Sequence, residues 1–302
     1  MGQTDGTRCG FAALIGAPNA GKSTLLNQLA GTKISIVSRK VQTTRSAVRG
    51  IVTEGDAQII FIDTPGIFSP RRRLDRAMVS SAWQSAGDAD AVALLVDARK
   101  GIDPEVEAIL EKLSGVAGKR LLVLNKIDLV ERSKLLELSA RLNDALPFAG
   151  TFMISALTGD GIAEFKRALA ALMPKGPWLY PEDQISVAPL RQLAAEITRE
   201  KLFDRLHDEL PYSSTVETEL WKEMPDGSAR IEQTIYVMRD AHKKIVIGES
   251  GRTIKAIGTA ARKDIMTAAG QNVHLFLFVK VREDWVNDPE RYRKMGLDFP
   301  RA

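Results

Sequence analysis

The nine residues GAPNAGKST, Gly16 to Thr24, stand between an apolar run at 11–15 and the helical pattern LLNQLAG at 25–31. Two glycines, a lysine and a hydroxyl placed where a strand turns into a helix describe a phosphate nest. Gly16 and Gly21 let the backbone fold tightly enough for the amides from Asn19 and Ala20 through Thr24 to converge, and the helix N-terminus adds positive potential there. Lys22 is then placed to reach β- and γ-phosphates, and the Ser23 hydroxyl to ligate the Mg²⁺ that accompanies them.

The chain around this stretch has 302 residues and is 44% apolar, enough for two domains with real cores. Forty-two Lys and Arg against 38 Asp and Glu leave a net charge of +4, which permits nucleic acid or an anionic membrane as a partner without demanding either. The lone Cys9 excludes an internal disulfide and a cysteine-based zinc site, and it fits a reducing compartment. Cys9 itself reads as a bystander near a frayed terminus. The polar opening MGQTDGTRCG has no signal core, and no later stretch approaches the ~18 apolar residues of a membrane span, so a cytoplasmic protein is expected.

From residue 10 to about 172 short apolar runs alternate with helical patterns, the signature of an α/β sheet with crossover helices. Strands are predicted at 11–15, 48–53, 58–62, 91–96, 121–124 and 151–154. Only EGDA separates the second from the third, so these form an antiparallel hairpin at one edge, and the others are parallel and buried on both faces. A proline-rich break at 173–184 is the predicted linker between a first domain, 1–172, and a second, 185–302. Within that break Trp178 and Tyr180 read as interdomain contacts. Beyond it the predicted order is a helix at about 189–209, strands at 213–221 and 229–238, a short helix, a glycine pair, a helix at 253–269 and a strand at 273–281. That order makes a smaller α+β domain.

Three further motifs fall at strand C-termini, where open α/β sheets bind ligands. DTPG, Asp63 to Gly66, offers a carboxylate that can hold Mg²⁺ through water and a Gly66 amide placed against a γ-phosphate. NKID, Asn125, Lys126, Ile127 and Asp128, offers a carboxylate that accepts from guanine N1–H and the exocyclic amine. Adenine has no such donors, so a buried Asp128 would reject ATP. SAL, Ser155, Ala156 and Leu157, offers the Ala156 amide to guanine O6.

In order and spacing, these motifs resemble the Ras-like, translation-factor-type GTPases over residues 10–172. The resemblance implies a P-loop GTPase fold, GTP and GDP as ligands, and Mg²⁺ held by Ser23, Thr44 and Asp63. Segment SRKVQTTRS, 38–46, matches the switch I loop, in which Thr44, or alternatively Thr43, closes over metal and γ-phosphate. Gln42 and Arg45 beside them read equally as solvent-exposed. Catalysis would rest on Lys22, Thr44 and the Gly66 amide. Where Ras-type enzymes carry a water-orienting glutamine this chain has Ile67, so slow intrinsic hydrolysis, ~10⁻⁴ to 10⁻² s⁻¹, is implied. Asn19 implies a K⁺ in the place of an arginine finger; a turn-stabilising asparagine explains it equally well.

In the second domain HKKIVIGESGRTIKAIG, 242–258, puts a G-x-x-G loop between two helices, open to close approach by a nucleic-acid backbone. From 239 to 263 seven basic residues face Asp240 and Glu249, a local +5 within a domain of net charge near zero. The α-β-β-α-α-β order resembles the type II KH domain. The residues implied for RNA are Lys243, Lys244, Gly248, Ser250, Gly251, Arg252 and Lys255, with Glu249 a departure that brings negative charge into the loop. Phe276 and Phe278 share a strand face and read as core rather than as a stacking platform. His207, His242 and His274 have no metal-ligand spacing.

The two-domain combination resembles the Era family, bacterial GTPases of small ribosomal subunit assembly. That resemblance implies binding near the 3′ end of small-subunit ribosomal RNA, recruitment to the immature subunit, action as a monomer, and peripheral association with the inner membrane. Two other readings stay open: a constitutive RNA-binding assembly factor whose GTP site is structural, and a tRNA-modification GTPase.

Overall fold

The computed structural model describes residues 6–38, 40, 43–45, 47–207, 210–283 and 285–300. Gln42 lies outside them. The chain divides into two compact units: Met1–Ser35, Thr44–Val187 and Met295–Ala302 form the first, Ile36–Thr43 and Ala188–Lys294 the second.

The first unit runs β1 (Arg8–Ile15), α1 (Lys22–Ala30), β2 (Val48–Glu54), β3 (Ala57–Asp63), α2 (Arg73–Asp88), β4 (Ala91–Asp97), α3 (Pro104–Leu113), β5 (Lys119–Asn125), α4 (Arg132–Ala145), β6 (Gly150–Ile154) and α5 (Ile162–Leu172). Its sheet has the order β2-β3-β1-β4-β5-β6, with β2 antiparallel to β3 and every other pairing parallel. The predicted edge hairpin and parallel interior are both present. Strand β1 shows why its apolarity is continuous: Ala12 and Leu14 enter a core with Leu25 and Leu26 of α1 and Phe165 of α5. Ala13 and Ile15 enter a second core with Ala82 of α2, Ile109 of α3 and Leu142 of α4. A strand buried on both faces needs apolar residues at every position.

Cys9 is no bystander. It lies buried in β1, where burial pushes its thiol pKa up. The 173–187 segment is tied to the first unit. Pro174 accepts from the Cys9 amide at 3.0 Å, the Trp178 indole donates to the Asp56 carbonyl at 3.0 Å, and buried Gln58 binds the Leu179 and Tyr180 backbone. Trp178 and Tyr180 therefore make these hydrogen bonds within the first unit rather than to the second. The Ile51 amide donates to Ile185 and the Val187 amide to Arg49, at 2.9 and 3.3 Å, so the segment covers part of the outer edge of β2.

The second unit runs α6 (Leu190–Arg205), β7 (Ser214–Glu223), β8 (Ala229–Val237), α7 (Asp240–Ile247), α8 (Arg252–Ala269), β9 (Val273–Val281) and α9 (Pro289–Lys294), with sheet order β7-β8-β9. Strands β7 and β8 are antiparallel, β8 and β9 parallel. Ile197 and Leu202 of α6, Val246 of α7, and Ile257, Ala261 and Ile265 of α8 cover one face of this sheet. Residues 275, 277 and 279 of β9 point to that core, so alternation sends Phe276 and Phe278 to the other face, where they are 41% and 47% exposed. This corrects the core reading of the pair.

Helix α6 stops four residues before its predicted end: Leu206 is already extended, and the Lys40 ammonium reaches the Phe203 and Leu206 carbonyls there. The same segment adds a Val37 amide on Glu200 at 2.9 Å, an Arg199 guanidinium on the Thr43 carbonyl, and a buried Ile36. Val37, Lys40 and Thr43 are thereby held along α6.

Candidate nucleotide site and RNA-binding loop

Gly21, at φ 102°, caps α1, and a Cβ there would lie 2.2 Å from the Asn125 amide nitrogen. Gly16, at φ 152°, passes under Leu95, whose carbonyl would meet a Cβ at 2.4 Å. Both positions demand glycine. Lys22 is 6% exposed and its ammonium donates to the Gly16 and Ala17 carbonyls at 3.0 and 3.1 Å, so it lies inside the loop that it is to serve. Burial lowers its pKa to about 8 despite the charges of Asp63 and Glu105. Thr24 sits half-buried in the first turn of α1.

Ser23, Thr44 and Asp63 come together. The Ser23 hydroxyl donates to Asp63 Oδ2 at 2.6 Å and lies 3.0 Å from Thr44 Oγ1. Ser35, unnoticed in the sequence, also donates to Asp63 Oδ2, at 2.8 Å. It is placed there by Asn27 of α1, which accepts from the Ile34 and Ser35 amides and donates to the Ser35 carbonyl. Asp63 Oδ1 is buried without a partner, and burial pushes the carboxyl pKa up against the hydroxyls and Lys22. A lone buried carboxylate oxygen beside two hydroxyls suits a hard cation with oxygen ligands, which fits Mg²⁺. Thr43 is elsewhere: its hydroxyl donates to the Lys40 carbonyl. Arg45, read as equally an exposed residue, is buried.

The Ile67 amide donates to the Gly16 carbonyl at 3.1 Å, and a Cβ on Gly66 would lie 2.9 Å from Pro18 Cα, so DTPG leans directly on the first loop. The Ile67 side chain is buried in the core that contains Ala17.

Asn125 joins three motifs. Its Nδ2 donates to the Ala20 carbonyl at 2.8 Å, and its Oδ1 accepts from the Lys126 and Ala156 amides at 2.8 and 2.9 Å. Lys126 and Asn19 are both left-handed, φ 69° and 63°, and the Lys126 ammonium donates to the Asn19 carbonyl at 2.7 Å and to Asp97 at 2.6 Å. Burial would raise the Asp97 carboxyl pKa, but hydrogen bonds from Arg99 and Lys126 hold it below its usual value. Asp97 was legible as the last residue of a parallel strand, the position that the sheet rule favours.

Two details depart from expectation. Asp128 is exposed rather than buried, so only a bound base could desolvate it. The Ala156 amide is spent on Asn125 and must be shared to reach guanine O6. Leu157 is 78% exposed, while buried Ser155 shapes the loop by accepting from the Thr158 amide.

In the second unit, Gly248 is at φ 72°, and its Cβ would strike Thr253 Oγ1 at 2.2 Å. Ser250 and Gly251, at φ 52° and 77°, complete a single 3₁₀ turn leading into α8. Lys244, Arg252 and Lys255 are exposed and Lys243 half-exposed. Glu249 pairs with Arg252 one turn away, which neutralises the charge that set this loop apart. Among the described residues no group of three or more His, Cys, Asp or Glu could hold a metal, and no helix is long and apolar enough to cross a membrane.

Residues 11–126 match the 50S ribosome-binding GTPase family and residues 209–286 the KH domain. The chain is 66% identical over 299 residues to GTPase Era of Afipia carboxidovorans, covering 99% of this chain and 97% of that protein. It is 65% identical over 295 residues to GTPase Era of Bradyrhizobium sp. strain BTAi1, at 98% and 96% coverage. An Aquifex aeolicus Era variant bound to GDP·AlF₄⁻ superposes with a TM-score of 0.91 at 38% identity, over 96% of this chain and 99% of that one. Era in complex with MgGDPNP and nucleotides 1506–1542 of 16S ribosomal RNA gives the same values. With the nucleotide loop, the guanine-side motifs and the KH loop joined in one chain and matched over its length, the protein belongs to the Era family of GTPases.

Proposed function

We propose that this GTPase is a nucleotide-controlled switch that binds the 3′ region of small-subunit ribosomal RNA and assists maturation of the small subunit. The observation that carries the reading is the convergence of Ser23, Thr44 and Asp63, with the Ser23 hydroxyl within 3.0 Å of both partners, because Thr44 directly follows Thr43, which, like Val37 and Lys40, is held on α6 of the unit that carries the KH loop. A γ-phosphate that recruits Thr44 therefore pulls on a segment anchored in the RNA-binding unit, which gives the two-state element that such switches require.

For hydrolysis, the Lys22 ammonium would neutralise charge on the β- and γ-phosphate oxygens, and the Gly66 amide would donate to a γ-phosphate oxygen as negative charge gathers there. Ser23, Thr44 and Asp63 would hold Mg²⁺, which would add further neutralisation of the phosphate charge. Ile67 is buried and offers no hydrogen bond to water, so positioning rather than water activation sets the rate. Asn19, left-handed at φ 63°, would contribute to a K⁺ site. Equal hydrolysis rates in K⁺ and Na⁺ would dismiss that site.

Crosslinking of the full chain to ribosomal RNA tests the switch. Yields that differ between GTP and GDP are expected; equal yields would favour a constitutive RNA-binding factor with a structural nucleotide.

A further inference from the structure

Helix α8 leaves the G-x-x-G loop and runs beside the C-terminal end of α6, and between the two helices lies an open cleft of about 840 Å³. Arg205 of α6 and Arg252, Lys255, Arg262 and Lys263 of α8 line it, with no acidic side chain in its walls among the described residues. All five cations are exposed; Arg252 pairs with Glu249 at the loop, and the other four have no such partner in the cleft wall among the described residues. The neighbouring acid on α8, Asp264, points its carboxylate at Lys201, at 2.5 Å, and so does not neutralise the cleft. The other lining residues are alanines, threonines and Met266, and among the described residues no aromatic ring lines it for a base to stack on.

We propose that this cleft is a second RNA site, one that grips sugar-phosphate backbone without reading bases. The proposal rests on the RNA-binding reading above and extends it. A G-x-x-G loop clamps about four nucleotides, yet the positive face does not end there. Arg252 and Lys255 belong to both the loop's edge and the cleft, and Lys263 stands eleven residues farther along α8 than Arg252, about 16 Å at the helical rise. A strand that leaves the loop meets cations over that whole distance. With phosphate the only group such a wall recognises well, the cleft should add affinity and salt dependence but no sequence preference.

The test uses the full chain with magnesium and a non-hydrolysable GTP analogue. Two RNAs from the small-subunit 3′ end are titrated by fluorescence anisotropy between about 0.1 and 0.4 M salt: one of about six nucleotides, which fills little more than the loop, and one of about thirty. Wild-type protein is expected to hold the longer RNA at least about tenfold more tightly. The double variant Arg262→Gln, Lys263→Gln is expected to lose most of that advantage, to lower the salt slope by about 1–2, and to keep its affinity for the short RNA within about twofold. Unchanged GTP hydrolysis and melting temperature show that the variant folds. Retention of the full affinity and slope for the longer RNA by the variant overturns the proposal, as does an equal loss for both RNAs. Failure of the wild-type chain to bind either RNA removes the RNA-binding reading itself, and this site with it. Should the variant not fold, Arg205→Gln, on the opposite wall, carries the same comparison with an expected loss of about threefold for the longer RNA only.

Discussion

The two polar residues that begin and end NKID do different work, and substitution separates them. Asn125 is 1% exposed and satisfies three backbone groups on three segments: the Ala20 carbonyl and the Lys126 and Ala156 amides. In Asn125→Ala, the Ala20 carbonyl and Ala156 amide are left unpaired in buried surroundings, at a cost of about 1–3 kcal/mol each, while the part-exposed Lys126 amide can recover water. The cavity beside Gly21 adds to this, and partial relaxation offsets it, so a loss near 3 kcal/mol is expected. For a unit of this size that lowers the melting temperature by about 6–12 °C. Asp128→Ala removes an exposed side chain and is expected to change stability by less than about 0.5 kcal/mol. Its effect should fall on the base, with GTP affinity dropping toward that for ATP. Thermal unfolding of the nucleotide-free proteins, followed by calorimetric titration with each nucleotide and magnesium, reads both. If Asn125→Ala melts within about 1 °C of the parent, or Asp128→Ala melts as early as Asn125→Ala, the division of labour is wrong.

Lys22 should make nucleotide affinity pH-dependent. Its pKa of about 8 in the free protein rises when polyphosphate arrives, so affinity is full below pH 8 and falls by up to about tenfold per unit above it. Proton uptake measured in buffers of different ionisation enthalpy checks this. Asp63→Asn removes a buried carboxylate whose ionised form is disfavoured, so the free protein is expected to melt no lower than the parent while magnesium-dependent GTP binding is lost. A clear drop in melting temperature with binding retained would contradict that. Ile67→Gln places an amide in the core around Ala17 and is expected to cost about 1–3 kcal/mol in a denaturant melt. It should raise single-turnover hydrolysis by less than tenfold, because the position faces the core; a larger gain would show that residue 67 reaches the attacking water.

Much of the fold was legible because its cause is local. Glycines at 16 and 21, continuous apolarity in β1, and a stretch at 173–184 too rich in proline for helix or strand each reflect a backbone or burial rule that acts within a few residues; that this stretch belongs to the first unit rather than linking two domains does not. Of the three residues proposed to hold Mg²⁺, Ser23 and Asp63 followed from motif spacing. Thr44 stood against Thr43 as an alternative, and the bond to Ser23 that sets Thr44 apart appears only in three dimensions. The same holds for Ser35, which reaches Asp63 because Asn27 folds back onto residues 34–35. Cys9, Phe276 and Phe278 were misread because burial depends on which strand lies beside them and which face the helices cover.

By itself, then, the order of residues determined an α/β unit followed by an α+β unit, a phosphate nest and a loop open to nucleic acid, since tight turns and strand periodicity are short-range demands. Tertiary structure alone decided that Asn125 ties three motifs together, that Asp128 stays in water, that Val37, Lys40 and Thr43 meet α6, and that scattered cations of α6 and α8 share one cleft. Each of those outcomes depends on atoms far apart in the chain meeting at hydrogen-bond or Coulomb range, a distance that spacing along the chain does not specify.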